Sequence, residues 1–225
     1  MMHIDLYDDN IGGVSLISVM GDDARSAHSA RVSFLKDGEE VDPEKDEKLL
    51  RFLLSHKHTS PFEHSIISLR IKVPLFIRNQ VFRHRTFSYN EVSRRYTSEC
   101  IEFHIPKELR KQASKNLQCS AGQVVDNNDK LIQTMKKQVE SAYRTYQMFL
   151  NCGVSREQAR AILPQNTYTT FWMTGNLHNW INFLRLRLSS HAQPEIQELA
   201  QGIEAIIAEH FPITMMILED QGTFR

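Results

Sequence analysis

The 225-residue chain is poor in cysteine, has no surplus of either charge and no long apolar run, and each shortage removes a class of protein. Its three cysteines, Cys100, Cys119 and Cys152, are odd in number, far apart and without a CxxC pair. That argues against a zinc framework or a disulfide scaffold and for a reducing, cytoplasmic setting. Lys plus Arg and Asp plus Glu both total 27, which disfavours a general binder of nucleic acid or anionic membrane, since those work through a large positive excess. No apolar stretch approaches the roughly 20 residues of a membrane helix, and the start, MMHIDLYDDN, has no apolar signal region. There is no GxGxxG and no HExxH; Gly12-Gly13 reads as an isolated turn. His56, His58 and His64 lie near Glu63 but without metal-ligand spacing, so no metal is expected.

What is there is an ordinary globular composition, 41% hydrophobic and 24% charged, at a length suited to a single domain over residues 1–225. Strands are expected at Val14 to Met20, at Ile67 to Val73 by strict alternation, and at Tyr168 to Met173. Helices are expected at Asp22 to Ser33, at Pro43 onward with Asp42 as N-cap and an end at Pro61, and at Leu75 to His84 with Leu75, Phe76, Val81 and Phe82 inward. Further helices follow at Leu131 to Leu150, at Arg156 to Leu163 behind a Ser155/Gln158 capping box, at Leu177 to Leu188, and at Glu195 to Phe211. The acidic stretch Lys36 to Lys48 reads as a loop, and residues 100–128 show no periodicity. The pattern predicts an α/β chain of the α+β type, a central mixed or antiparallel sheet flanked by helices.

Basicity is local. Arg83 to Arg95 reads RHRTFSYNEVSRR, with four arginines, a histidine, an asparagine, a glutamate and two serines. Guanidinium forks bind phosphate bidentately and stay charged at any working pH, so the run predicts a site for a phosphorylated, hydrogen-bonding ligand. A nucleic-acid module using the same run is the rival reading, and the zero net charge stands against it. Unrolled at 100° per residue, LHNWINFLRLRL puts Arg187 on the apolar arc, while His178, Asn182 and Arg185 share the polar face. An arginine there must find partners. A buried ion pair, a snorkelling side chain and a cation in a ligand cleft all satisfy that requirement.

These residues resemble the flavin-dependent thymidylate synthases. RHRTFSYNEVSRR is similar to that family's signature, and the likeness extends through ARVSF (30–34), HTSPFEH (58–64), RAILPQNTYTTF (160–171) and NFLRLRLSSHAQPEI (182–196), in the family's order. The resemblance implies reductive methylation of dUMP to dTMP, with FAD as cofactor and methylenetetrahydrofolate and NADPH as co-substrates. It implies a homotetramer with shared active sites, and no nucleic acid or membrane as partner. By position it assigns FAD to His58, Ser60, Arg83, His84, Arg85, Glu91, Asn176, Leu177, His178 and Asn182. It assigns the nucleotide to Gln80, Arg83, Glu91, Ser93, Arg94, Arg95 and Arg160, with the family's key arginine falling on Arg95, and the uracil ring to Arg187 as the catalytic group. No cysteine lies within these motifs, so activation without a protein nucleophile is expected. A flavoprotein reductase acting on another acceptor is the rival within flavin chemistry.

Overall fold

The alternation of IISLRIKVP becomes a strand whose Ile67, Leu69, Ile71 and Val73 are buried while Arg70 faces out. In the computed structural model, which describes residues 2–34, 42–115 and 120–224, the strands run β1 (His3–Leu6), β2 (Gly12–Met20), β3 (Ile66–Pro74), β4 (Ser88–Glu91), β5 (Arg110–Gln112), β6 (Ser120–Val124) and β7 (Tyr168–Asn176). Five form one sheet in the order β1-β2-β3-β7-β4, and every pair is antiparallel. β5 and β6 make a separate hairpin.

The helices are α1 (Asp23–Arg31), α2 (Pro43–Ser55), α3 (Leu75–Val81), α4 (Asn128–Asn151), α5 (Arg156–Ala159), α6 (Leu177–Arg187), α7 (Pro194–His210) and α8 (Pro212–Asp220). The apolar stripe of α7, Ile196, Leu199, Ile203 and Ile206, is fully buried and packs toward β1 and β2. Trp180 of α6 buries its ring and donates Nε1–H to the Ile67 carbonyl of β3 at 3.3 Å. The other face of the sheet stays open: Arg70 of β3 stands opposite Trp172 of β7, which is half exposed. Among the described residues no helix is long and apolar enough to cross a membrane.

Several expectations need correction. α2 begins as expected, with Asp42 accepting from the Lys45 N–H and Pro43 in the first turn, but it stops at Ser55 and not at Pro61. Lys57 takes a left-handed φ of 57°, and the N–H groups of Lys57 and His58 close back on Leu54 and Leu53, a Schellman ending that needs no proline. The acidic loop lies outside the described residues over 35–41, and its remainder is already helical from Pro43. In α3 Val81 is buried and Phe76 and Phe82 are half-buried against the core, as expected, but Leu75 lines the cleft beside β4 and its place in the core is taken by Ile77. Ser155 makes no side-chain cap, so no capping box forms. Residues 100–128 hold the β5/β6 hairpin, too short and polar to show a period of two. α8, β1 and β4 were not predicted; α8 is started by Asp23 of α1, whose carboxylate accepts from the Ile213 and Thr214 N–H groups and the Thr214 hydroxyl.

Candidate active site

The last turn of α3 is held by side chains from two elements. Tyr89 of β4 stacks on Phe82 and donates its hydroxyl to the Val81 and His84 carbonyls at 3.1 and 2.8 Å. Arg187, from the last turn of α6, donates Nη2–H to the Gln80 carbonyl at 3.0 Å and Nε–H to His84 Nε2 at 2.9 Å. A cation at a helix C-terminus is favoured, because the last carbonyls lack intrahelical partners and carry partial negative charge. His84 accepts at Nε2, so its neutral ring keeps its proton on Nδ1. Burial and then the Arg187 charge pull its pKa from 6.5 down to about 4, which makes the neutral form the working one. The His84 ring packs at 4.7 Å from the Phe183 ring of α6. Burial also lowers the Arg187 pKa from its high ordinary value. Arg185, two residues away, is exposed and donates to Asn182 Oδ1 at 2.9 Å.

On the outer side of α3 a cleft of about 430 Å³ opens against β4 and the start of β7. Glu91 closes β4 and takes both Arg78 Nε–H contacts, at 3.0 and 3.1 Å, a further contact from Arg78 Nη2, and the Thr169 hydroxyl at 2.8 Å. Arg78 also lies 4.1 Å over the Phe82 ring. Ser93, Arg94 and Arg160 line the same cleft. Arg94 donates to the Glu99 and Cys100 carbonyls, which turns it in toward the cleft, whereas Arg95 is exposed and approaches Glu157 at 3.9 Å. A smaller adjoining cleft shares Arg78 and Asn79 and adds Arg83 and Arg85, both exposed and without a side-chain partner among the described residues.

A third cleft, about 640 Å³, runs between the end of α2 and α6. Leu53, Leu54, Phe62 and Ile181 give it an apolar floor, and His58, Thr59, His178, Asn182 and Arg185 a polar rim. His178 Nε2 and Asn182 Nδ2 are 3.0 Å apart, and burial lowers the His178 pKa against the pull of Glu63. Ser60 is exposed and outside this lining. Asn176 spends its side chain as N-cap of α6, accepting from the Asn179 N–H at 2.9 Å. Leu177 is wholly buried in the core and its N–H goes to the Ser65 carbonyl, so neither group is open to a ligand.

The structure therefore gathers Glu91, Ser93, Arg94 and Arg160 in one cleft, Arg83 and Arg85 beside it, and His58, His178 and Asn182 in another, while Gln80, His84 and Arg187 meet at the end of α3. Sequence reasoning missed Arg78, Asn79, Gln165 and Thr169 as cleft residues. Gln165 and Thr169 stood inside the quoted run RAILPQNTYTTF, a signal that was available. Cys100 is exposed on a left-handed backbone and lines none of these clefts.

Comparison with known proteins places this geometry in context. The family model described as thymidylate synthase complementing protein matches residues 15–213. The flavin-dependent thymidylate synthase of Thermotoga neapolitana is 43% identical over 203 residues, covering 90% of this chain and 88% of that protein. That of Thermus thermophilus is 40% identical over 216 residues, covering 95% and 78%. Among solved structures, the UMP/dUMP methylase PolB from Streptomyces cacaoi, bound with 5-Br dUMP, superposes with a TM-score of 0.87 at 30% identity, covering 96% of this chain and 97% of that one.

Proposed function

The chain belongs to the thymidylate synthase complementing protein family, the flavin-dependent thymidylate synthases, and on that premise we propose that it methylates dUMP reductively to dTMP, with FAD as cofactor and methylenetetrahydrofolate and NADPH as co-substrates. The observation that carries the reading is the environment of Arg187. Its guanidinium is half-buried and held by two neutral acceptors, with no carboxylate partner among the described residues. Such a charge is left uncompensated by the protein and is set to meet charge that develops on a ligand. A uracil ring that loses its N3 proton, or becomes electron-rich at O2, supplies that charge, and the low local dielectric strengthens the attraction.

The other groups fit binding and orientation. Arg94 and Arg160 with Ser93 suit a monophosphate and its sugar. Glu91 is filled by Arg78 and Thr169, so its part is to hold Arg78 in place, and it is not free to act as a base. Among the described residues Ser93 has only the Arg95 N–H against its oxygen, at 3.3 Å, and no histidine base, so it binds and does not attack. Among the described residues neither Cys100 nor Cys152 lines these clefts, and activation is assigned to Arg187.

The donor set also fits a flavin. The α2/α6 cleft offers an apolar floor for a ring system and imidazole and amide groups for its edge, and Arg83 with Arg85 offers two guanidinium groups, unpaired among the described residues, for a pyrophosphate. When bound, FAD supplies the hydride chemistry that no side chain provides. The two clefts share no lining residue. That separation within one chain suits the homotetramer with shared sites that the family resemblance implies. Exposed Cys100 and Cys152 as free thiols suit a cytoplasmic setting.

The test is a dTMP assay on purified protein with dUMP, FAD, NADPH and methylenetetrahydrofolate, each omitted in turn. Product should require all four. NADPH oxidation without dTMP would instead identify a reductase for another acceptor, and absence of flavin binding would end both readings.

A further inference from the structure

Gln80 sits between Arg187, which takes its carbonyl, and a chain of side chains that the proposed chemistry leaves unused. Its amide Nε2 donates to Gln193 Oε1 at 2.6 Å; Gln193 Nε2 donates to Glu195 Oε2 at 2.8 Å; Glu195 Oε1 accepts from Arg110 Nη2 at 2.6 Å. Arg110 belongs to β5 and is steadied by Nε donation to the Ser120 hydroxyl of β6 at 2.9 Å. The line runs from the hairpin through the start of α7 to the end of α3.

Its direction is fixed by chemistry. Burial pushes the Glu195 carboxyl up, but hydrogen bonds from Arg110, its own N–H and Gln193 outweigh that and keep it below the usual carboxylate range. An ionised carboxylate only accepts, and Arg110 only donates. Gln193 must therefore turn its NH2 to Glu195, which leaves its carbonyl facing Gln80, and Gln80 must answer with its own NH2. Gln80 Oε1 is the one amide atom of the line left without a partner in it.

We propose that Gln193, Glu195 and Arg110 are positioning residues that lock the Gln80 amide, so that the nucleotide must bring a hydrogen-bond donor to Gln80 Oε1. The inference rests on the proposed dUMP reading for Gln80's neighbourhood. The donor is a neutral N–H or O–H, either the ring imide or a sugar hydroxyl. Were Glu195 an amide, Arg110 would hold its oxygen and its NH2 would face Gln193, so the line would reverse and Gln80 would turn its oxygen into the line and present its NH2 to the ligand.

The experiment is a double-mutant cycle on the flavin-loaded protein, with dUMP affinity measured by calorimetry and no turnover needed. Glu195→Gln should weaken dUMP binding roughly 3- to 10-fold, the span of one neutral hydrogen bond. Gln193→Met should do the same while leaving the Glu195–Arg110 pair in place, which covers the case where Glu195→Gln destabilises the fold. In a Gln80→Ala background neither substitution should weaken binding further, because the group they orient is gone. Repeating the cycle with N3-methyl dUMP and with the 3′-deoxy analogue identifies the donor: the coupling should vanish with one of them. Equal losses in both backgrounds, coupling that survives both analogues, or no loss from either substitution in the wild-type background would overturn the inference alone. Failure of the wild-type holoprotein to bind dUMP would instead fell the functional reading, and the inference with it.

Discussion

Two groups of arginines in this protein contrast, one on an inner line and one on an outer rim. Along the inner line, Arg187, His84, Gln80, Gln193, Glu195 and Arg110 are linked at 2.6–3.0 Å. On the rim, Arg83, Arg85 and Arg160 line clefts without any side-chain partner among the described residues. The difference separates groups whose geometry the fold sets in advance from groups that wait for an anion. Preorganised dipoles and charges act on the chemical step, because they need not reorganise as charge moves. Free surface guanidinium groups act on affinity, and salt screens them.

The largest effect should come from the inner line. Arg187→Ala should lower turnover about 100-fold or more, the usual scale for a lost oriented donor, while bound flavin absorbance is unchanged. Arg187→Lys should recover little, since an ammonium lacks the planar fork that reaches the Gln80 carbonyl and His84 Nε2 together. A variant that lost its flavin would erase the distinction between line and rim.

Next in size are the rim substitutions. Arg83→Ala and Arg85→Ala should each weaken FAD binding roughly tenfold, about the worth of a charge-assisted hydrogen bond. Both losses should shrink when the titration is repeated in high salt. Salt-independent losses would mean that these arginines are held by the fold after all.

The inner line was partly legible in the sequence, and the reason is periodicity. Unrolling α6 at 100° per residue separates Arg187 from Arg185, and the structure has the first half-buried on α3 and the second exposed. The alternation of β3 and the stripe of α7 are local signals of the same kind. Arg78 was missed because its partner Glu91 lies on β4, and nothing within α3 reports a contact 13 positions away. The capping of α8 by Asp23 fails for the same cause, a tertiary contact with no short-range pattern, whereas β5 and β6 are too short and polar to show a period of two. The resemblance assigns Arg83, His84 and Arg85 together to FAD, yet the turn after α3 sends His84 inward onto Arg187 and its two neighbours out.

His84 allows the comparison to be tested by pH. Its pKa in the fold is about 4, against 6.5 for the free side chain. Between those values the unfolded chain binds more protons than the folded one, so stability rises with pH. The contribution of neutral His84 is fully present above about pH 6.5 and is lost as pH falls toward 4. The urea midpoint should therefore drop between pH 7 and 5, and drop less in His84→Gln, whose amide oxygen still accepts from Arg187 without taking a proton. A ring titration of His84 near 6.5 by NMR would show that Arg187 does not bind it in solution.

The smallest effect should be that of Arg185→Ala. Its guanidinium is exposed and donates to Asn182 Oδ1 at the rim of the α2/α6 cleft, where one surface hydrogen bond is worth little. Turnover should change by about twofold or less, and the change should appear in flavin affinity before it appears in rate. The two arginines are two positions apart on one helix, so a general weakening of α6 would injure both variants alike. Equal damage from Arg185→Ala and Arg187→Ala would thus assign the loss to the helix and remove the ground for treating Arg187 as the activating charge.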